Sequence, residues 1–146
     1  MRIVLASLLL IFSIALFAEP KKPAAPAAKP TPVTGNPTRT VTGLKYWDIQ
    51  VGDGVMADRG KIVFVHYTGW LLNGKQFDTS IGGKPIRFHL GNGEVIKGWD
   101  QGIKGMRVGG KRQLRIPPDL GYGQSGSAGI PGDSTLIFDV ELVGVQ

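Results

Sequence analysis

The sequence predicts an α+β fold in which a five-stranded antiparallel β-sheet curls around one short α-helix. Three observations lead to this prediction. Short runs of β-branched and aromatic residues alternate with polar ones from residue 41 onward, glycine supplies 22 of the 146 residues, and a single stretch has helical spacing. A chain of this length suffices for one domain of ordinary size.

Five strands are predicted from the alternating runs. They cover residues 44–49, 61–72, 86–90, 111–116 and 135–145. The Asn73-Gly74 pair after the second strand predicts a hairpin with a type I′ turn, because both residue types tolerate positive φ. Pro117 and Pro118 end the fourth strand, since neither can donate to a sheet ladder.

The helix is predicted over residues 93–104. Apolar side chains recur there at helical spacing, at Val95, Ile96, Trp99 and Ile103. Asn92 is a residue type suited to capping the first turn. Gly98 and Gly102 weaken the helix intrinsically, so we expect packing against the sheet to stabilise it.

The first 41 residues differ in composition from the rest. Residues 1–18 have a basic start, an apolar run and a final small residue, which is the pattern of a signal peptide. Residues 19–41 are rich in Pro, Ala and Lys, which predicts a flexible linker that we interpret as a neutral connector rather than a functional tether. The folded domain is expected at residues 42–146. We expect secretion across a membrane, with the periplasm favoured over a eukaryotic secretory lumen.

Charge and composition argue against several function classes. The net charge is +6, but residues 1–40 hold five basic residues and one acidic, which leaves 12 basic against ten acidic from residue 41 onward. This near balance argues against a nucleic-acid partner. The sequence contains no cysteine, which excludes disulfides and thiolate chemistry.

Three apparent motifs lack the context that their chemistry needs. Residues 121–126 match G-x-G-x-x-G, but they do not open a helix. Residues 105–111 imitate a P-loop, yet Arg112 stands where a magnesium-binding hydroxyl should follow. His66 and His89 have no acidic residue at an obvious metal-ligand spacing, so we expect neither a metal site nor a cofactor.

Seven further motifs occur in an order that is typical of one protein family. They are HYTG at 66–69, GKQFDTS at 74–80, FHLG at 88–91, EVIKGWDQG at 94–102, MRVGGKR at 106–112, IPPDLGYG at 116–123 and LIFDVEL at 136–142. With them, residues 42–146 resemble the FKBP-type peptidyl-prolyl cis-trans isomerases. The resemblance implies an enzyme that acts on X-Pro bonds of proline-containing polypeptides outside the cytoplasm, with macrolide inhibitors as further ligands. We expect it to be a monomer.

The resemblance also implies a set of residues around a proline pocket. Those expected to be catalytic are Tyr67, Asp78, Trp99, Tyr122 and Phe138. Those expected to bind substrate are Phe77, Phe88, Val95, Ile96 and Ile130. Trp99 would form the pocket floor, and Asp78 would lie partly buried beside Tyr67. The Ile96 N–H and the Tyr122 hydroxyl would donate hydrogen bonds to carbonyl groups of the substrate or ligand.

The loop between Tyr122 and Leu136 departs from the family pattern. It reads GQSGSAGIPGDST, in which Gly132 follows Ile130-Pro131 where family members usually have a second proline. We therefore expect a shorter and more mobile loop at the pocket edge. The alternative to an active isomerase is a catalytically weak binding module or holding chaperone that uses the same groove.

Overall fold

The computed structural model describes residues 27–146, so the signal peptide predicted at residues 1–18 lies outside the described residues. The strands are β1 (Thr38–Arg39), β2 (Lys45–Gln50), β3 (Ile62–Leu71), β4 (Gln76–Thr79), β5 (Ile86–His89), β6 (Lys111–Ile116) and β7 (Leu136–Val145). The helix α1 covers Lys97–Ile103, and a short 3₁₀ turn covers Pro118–Leu120. No helix of residues 27–146 has both the length and the apolar character needed to cross a membrane.

The strands form one antiparallel sheet in the order β1-β2-β6-β7-β3-β4, with β5 also paired to β3. The long strand β3 pairs with two short strands along the same edge. Its Thr68–Trp70 portion pairs with β4, and its Ile62–Val65 portion pairs with β5. The predicted α+β architecture is confirmed. Seven strands rather than five are present among the described residues, because β1 and β4 are too short to show an alternating pattern in the sequence.

The hairpin predicted at Asn73-Gly74 is present, but the predicted turn type is wrong. Gly74 has a φ of 87°, whereas Asn73 is not among the residues of positive φ, which a type I′ turn requires at both central positions. The Gly74 N–H donates to Leu71 O at 2.9 Å, and the Leu71 N–H donates to Lys75 O at 2.9 Å. A three-residue loop with a left-handed glycine at its end therefore connects β3 to β4.

The helix α1 begins four residues later than predicted, at Lys97 rather than residue 93. Gly93 has a φ of 71°, which is incompatible with a helix, and no side chain caps α1. The carboxylate of Asp100 instead accepts hydrogen bonds from the N–H groups of Gly91 and Gly93, at 2.8 and 3.0 Å. These bonds hold the preceding turn in a non-helical conformation.

The two helix glycines bring α1 close to β6. A Cβ at Gly98 would lie 2.6 Å from the Cγ2 of Ile116, and one at Gly102 would lie 2.7 Å from the Cδ2 of Leu114. Both distances are too short for a real side chain, so close packing against the sheet requires glycine here. The core lies between α1 and this face of the sheet, where alternate residues of β7, Phe138, Val140 and Leu142, are buried.

Part of the segment predicted as a flexible linker lies on the other face and the edge of the sheet. Thr31 donates to the carboxylate of Asp139 from both its N–H and its hydroxyl, at 2.8 Å each, and accepts from the side chain of Gln113 at 2.8 Å. Further along, β1 pairs with β2. The linker prediction rested on the lack of apolar side chains, whereas these contacts use mainly backbone groups and are therefore invisible in composition. The domain boundary expected at residue 42 falls after this docked segment.

Candidate functional site

A cleft of about 330 Å³ opens beside α1 on the face of the sheet that carries the core. Its lining is contributed by β3, β4, β5, β7, α1, the turn before α1 and the loop after the 3₁₀ turn. The residues along it are Tyr67, Phe77, Asp78, Ile86, Glu94, Val95, Ile96, Trp99, Tyr122 and Phe138. All but two of the site residues predicted from the sequence are in this set.

Trp99, in the first turn of α1, lies at the base of the cleft and is 4% exposed. Its ring meets Tyr67 edge to face, with centroids 4.8 Å apart, and meets Phe138 in the same way at 5.3 Å. Such T-shaped pairs place the positive edge of one ring on the negative face of another. The three rings therefore fix one another, with Trp99 at the base of the cleft and Tyr67 and Phe138 packed against it.

Phe77 and Phe138 form a third edge-to-face pair, with centroids 5.4 Å apart and an interplanar angle of 90°. The two rings approach each other over Gly69 of β3. A Cβ at Gly69 would lie 2.7 Å from the Cε1 of Phe138 and 2.7 Å from the Cζ of Phe77. The glycine that follows Thr68 in the HYTG motif thus leaves the space that this wall of the cleft occupies.

The polar part of the cleft contains the Tyr67–Asp78 pair. The Tyr67 hydroxyl donates to the Oδ2 of Asp78 at 2.7 Å, and the Thr79 N–H donates to its Oδ1 at 2.8 Å. Burial, together with the hydrogen bond to the Asp78 carboxylate and its charge, raises the pKa of Tyr67 well above its ordinary value. Tyr67 therefore remains a protonated donor at neutral pH.

Tyr122 lies at the mouth of the cleft and is 39% exposed. Burial raises the pKa of its hydroxyl, and the nearby Asp78 charge raises it further. The hydroxyl is consequently protonated and available as a donor. The Ile96 N–H, just before α1, makes no backbone hydrogen bond within residues 27–146, so a second donor is free near the base.

Phe88 and Ile130, both predicted to bind substrate, do not line the cleft. Phe88 is 3% exposed and packs behind Trp99, with ring centroids 5.9 Å apart. Ile130 is 7% exposed and belongs to the core, because reciprocal hydrogen bonds between Ser127 and Ile130, at 3.0 and 2.9 Å, turn its side chain inward. The structure thus assigns both residues to the core rather than to the cleft surface.

Two cleft residues were missed by the sequence reasoning. Ile86 lies two residues before Phe88 on β5, so strand alternation places both side chains on the same face of the sheet. Ile86, the first residue of β5, lines the cleft, whereas Phe88 does not. Glu94 lies at the rim, where its carboxylate accepts the His89 N–H at 2.8 Å and contacts His89 Nδ1 at 2.8 Å. These bonds lower the pKa of Glu94, the backbone hydrogen bond most of all. The position of Glu94 directly before Val95, a predicted lining residue, was the sequence signal that could have identified it as a cleft residue.

The loop that departs from the family pattern is folded on itself. The Gly126 N–H donates to Tyr122 O at 3.2 Å, and the Asp133 N–H donates to Gly123 O at 2.9 Å. A Cβ at Gly132 would collide with the carbonyl of Gln124. The loop is thus tightly turned, and this close approach requires glycine at position 132, where family members usually have a second proline.

The histidines are engaged in contacts outside any metal-binding arrangement. His89 contacts Glu94, and His66 Nδ1 lies 2.9 Å from the Ser80 hydroxyl. Over residues 27–146 no three His, Cys, Asp or Glu side chains are grouped so as to hold a metal ion.

The cleft can bind a compact apolar ring and donate hydrogen bonds to the carbonyls next to it. The fold and the cleft together are those of an FKBP-type domain.

The chain belongs to the family of FKBP-type peptidyl-prolyl cis-trans isomerases, whose family model matches residues 54–143. An FK506-binding protein of Neisseria meningitidis is 53% identical over 105 residues, which cover 70% of this chain and 96% of that protein. The crystal structure of FkpA from Escherichia coli superimposes with a TM-score of 0.72 at 43% identity, covering 77% of this chain and 53% of that chain.

Other relatives are much longer than this chain. FK506-binding protein 4 of Emericella nidulans is 49% identical over 126 residues, which are 86% of this chain but 26% of that protein. The chain spans about a quarter of the length of such fungal relatives. The similarity to them therefore concerns the domain described above and does not extend to their remaining regions.

Proposed function

We propose that this protein is a peptidyl-prolyl cis-trans isomerase that accelerates rotation about X-Pro bonds in polypeptide chains. The observation that carries the proposal is the aromatic cleft with Trp99 at its base and the Tyr67–Asp78 pair on its wall. The cleft suits a proline ring in size and polarity, and family membership supports the same activity.

The chemistry requires no bond to be broken. Resonance gives a peptide bond a rotation barrier of about 18–20 kcal/mol, and X-Pro bonds isomerise unaided in roughly 10–100 s. A thousandfold acceleration corresponds to lowering the barrier by about 4 kcal/mol. Neither an acid, a base nor a cofactor is needed for an effect of this size, because differential binding of the twisted amide can supply it.

The cleft would stabilise the twisted amide in two ways. Rotation destroys the charge-separated resonance form that water stabilises, so aromatic walls that exclude water from the prolyl carbonyl favour the twisted state. The base formed by Trp99 and the wall formed by Phe138 would perform this role. The Ile96 N–H and the Tyr122 hydroxyl would then hold the neighbouring carbonyl groups and keep the substrate backbone bent.

Asp78 would act at the remaining wall of the cleft. Its carboxylate lies near the twisting amide in this account, and its bond to Tyr67 holds it in a fixed orientation. Val95, Ile96 and Phe77 would complete the apolar lining around the proline ring. Ile86, which the sequence reasoning missed, has the position to contact the same ring.

The substrates in this proposal are proline-containing polypeptides that fold outside the cytoplasm. The pattern of residues 1–18 supports export, with a periplasmic location as the favoured destination. Relatives are named for binding FK506, and we propose that this cleft also accepts macrolide ligands of that kind. We propose that the protein acts as a monomer.

The proposal is tested with a small protein whose refolding is limited by a native cis X-Pro bond. Residues 19–146 should accelerate the slow refolding phase catalytically. Asp78→Ala should lose most of this acceleration, whereas Asp58→Ala should retain it, because the exposed Asp58 side chain lies outside the cleft and its Oδ1 bonds only the neighbouring Arg59 N–H. If the folded parent leaves the slow phase unchanged while still binding the unfolded substrate, the protein is a holding module rather than an isomerase.

A further inference from the structure

Ser80 directly follows β4 and is hydrogen-bonded to the main chain of Tyr67, the residue that pairs with Asp78. Its backbone N–H donates to Tyr67 O at 2.9 Å, as an antiparallel ladder requires. The return bond of that ladder, from the Tyr67 N–H, would ordinarily end on the Ser80 carbonyl. It ends on the Ser80 hydroxyl oxygen instead, at 2.8 Å. The side chain thus replaces the main-chain acceptor at the last pair between these strands.

This replacement frees the Ser80 carbonyl for another bond. It accepts the Gly83 N–H at 3.0 Å and closes a four-residue turn in which Gly82 has a φ of 96°. A positive φ at the third position is typical of a type II turn. Ser80 therefore lets β4 end and the chain reverse directly after Asp78 and Thr79, without leaving the Tyr67 N–H unpaired.

The Ser80 hydroxyl also contacts a side chain of β3. The hydroxyl lies 2.9 Å from His66 Nδ1 and 3.4 Å from Tyr67 O, so the histidine nitrogen is the better placed of the two. One side chain consequently links His66, the Tyr67 backbone and the turn after β4.

We propose that Ser80 is a positioning residue for the active cleft, a proposal that rests on the isomerase function proposed above. It acts through Tyr67, whose main chain it holds, and through Asp78, whose strand it terminates. The Tyr67 hydroxyl can meet Asp78 at 2.7 Å only if β3 and β4 keep their register at this end. Ser80 fixes that register at a point where the regular ladder stops.

The test compares Ser80→Ala with Ser80→Thr in residues 19–146. Loss of the hydroxyl should lower kcat for X-Pro isomerisation about tenfold with KM little changed, since a barrier increase of about 1.4 kcal/mol has this effect. Ser80→Thr retains the hydroxyl and should restore most of the activity. Ser134→Ala is the matched control, because its hydroxyl bonds Pro131 O in an exposed loop and should leave the kinetics unchanged.

A second measurement separates positioning from stability. Tyr67 should titrate at lower pH in Ser80→Ala than in the parent, because its hydroxyl would no longer be held against Asp78; NMR of labelled tyrosine, assigned with Tyr67→Phe, reports this. A Ser80→Ala protein that is less stable but has unchanged kcat per folded molecule and unchanged Tyr67 titration would overturn the proposal. Should Ser80→Ala fail to fold, Ser80→Cys provides the same comparison with a weaker hydrogen-bonding group. An inactive parent would contradict the proposed function. The Tyr67 titration in Ser80→Ala would still test whether Ser80 positions the Tyr67–Asp78 pair.

Discussion

The hydroxyl of Tyr67 donates a 2.7 Å hydrogen bond to the carboxylate of Asp78, across the pairing of β3 and β4. The bond joins the aromatic base of the cleft to the Asp78 carboxylate on its wall, since the Tyr67 ring also packs edge to face on Trp99. Tyr67 thus has both an apolar and a polar function in the same site. The pKa of Tyr67 provides a measurable readout of its hydrogen bond to Asp78.

We predict that the pH dependence of stability at alkaline pH depends on Tyr67. Its folded pKa is raised above the unfolded value of about 10, so the native state holds the phenolic proton more tightly than the unfolded chain does. The resulting stability is fully present below about pH 10 and is lost as the pH rises through the folded pKa. Urea unfolding at a series of alkaline pH values should therefore show a smaller decrease for Tyr67→Phe than for the parent.

Two features refine this prediction. Tyr122 contributes a shift in the same direction, so part of the decrease should remain in Tyr67→Phe. Asp78→Ala removes the hydrogen bond and the charge but not the burial, so its decrease should be intermediate. Identical pH dependence in the parent and in Tyr67→Phe would contradict the assignment of the raised pKa to this pair.

Gly69→Ala should damage the cleft from inside the sheet. The added Cβ would lie 2.7 Å from both Phe77 and Phe138, so one of the rings must move. We expect a loss of roughly 1–3 kcal/mol in the free energy of unfolding, as is usual for overpacking, together with reduced kcat/KM. Gly83→Ala is the control, because its Cβ would meet only Ser80 O at 3.6 Å. Equal activity of the two variants would show that the ring positions are not critical.

The segment before residue 42 should contribute to stability but not to catalysis. Deleting it leaves Asp139 and Gln113 without the backbone partners that Thr31 provides, and Gln113 is 2% exposed. Removing partners from buried polar groups typically costs about 1–3 kcal/mol. Residues 42–146 should thus unfold at lower urea concentration than residues 27–146, with similar kcat/KM, since Thr31 binds the sheet face opposite the cleft. Equal unfolding midpoints would indicate that these contacts contribute nothing in solution.

The strands and the aromatic base could be predicted from the sequence because they depend on patterns of side chains. Alternation in β7 identifies Phe138 as facing the core, and helical spacing places Trp99 on the apolar side of the predicted helix. The family motifs then brought Tyr67 and Asp78 together, although they belong to different strands. These features share a single requirement, the burial of apolar surface on one face, and such a requirement leaves a regular pattern in the sequence.

The features that could not be predicted depend on backbone geometry. Ile130 lies in the core because of the short turn that begins at Ser127, and α1 begins late because Asp100 binds the N–H groups before it. The contacts of Thr31 with the sheet likewise use main-chain atoms. Composition and periodicity report side chains, so hydrogen bonds of this kind leave little signal. Ile86 was not predicted as a cleft residue for a related reason, since alternation places it on the same face as Phe88 and does not show which of the two reaches the cleft.

The most direct test of the central claim is the cis-to-trans relaxation rate of a short X-Pro peptide with the parent, Phe138→Ala and Ile137→Ala. The two substituted residues are adjacent on β7 and both are buried, but only Phe138 lines the cleft. We predict saturable acceleration by the parent, retained per folded molecule in Ile137→Ala and reduced at least tenfold in Phe138→Ala, which corresponds to about 1.4 kcal/mol of lost transition-state binding. Equal acceleration by the two variants, or none by a folded parent, would contradict the claim that this aromatic cleft performs the isomerisation.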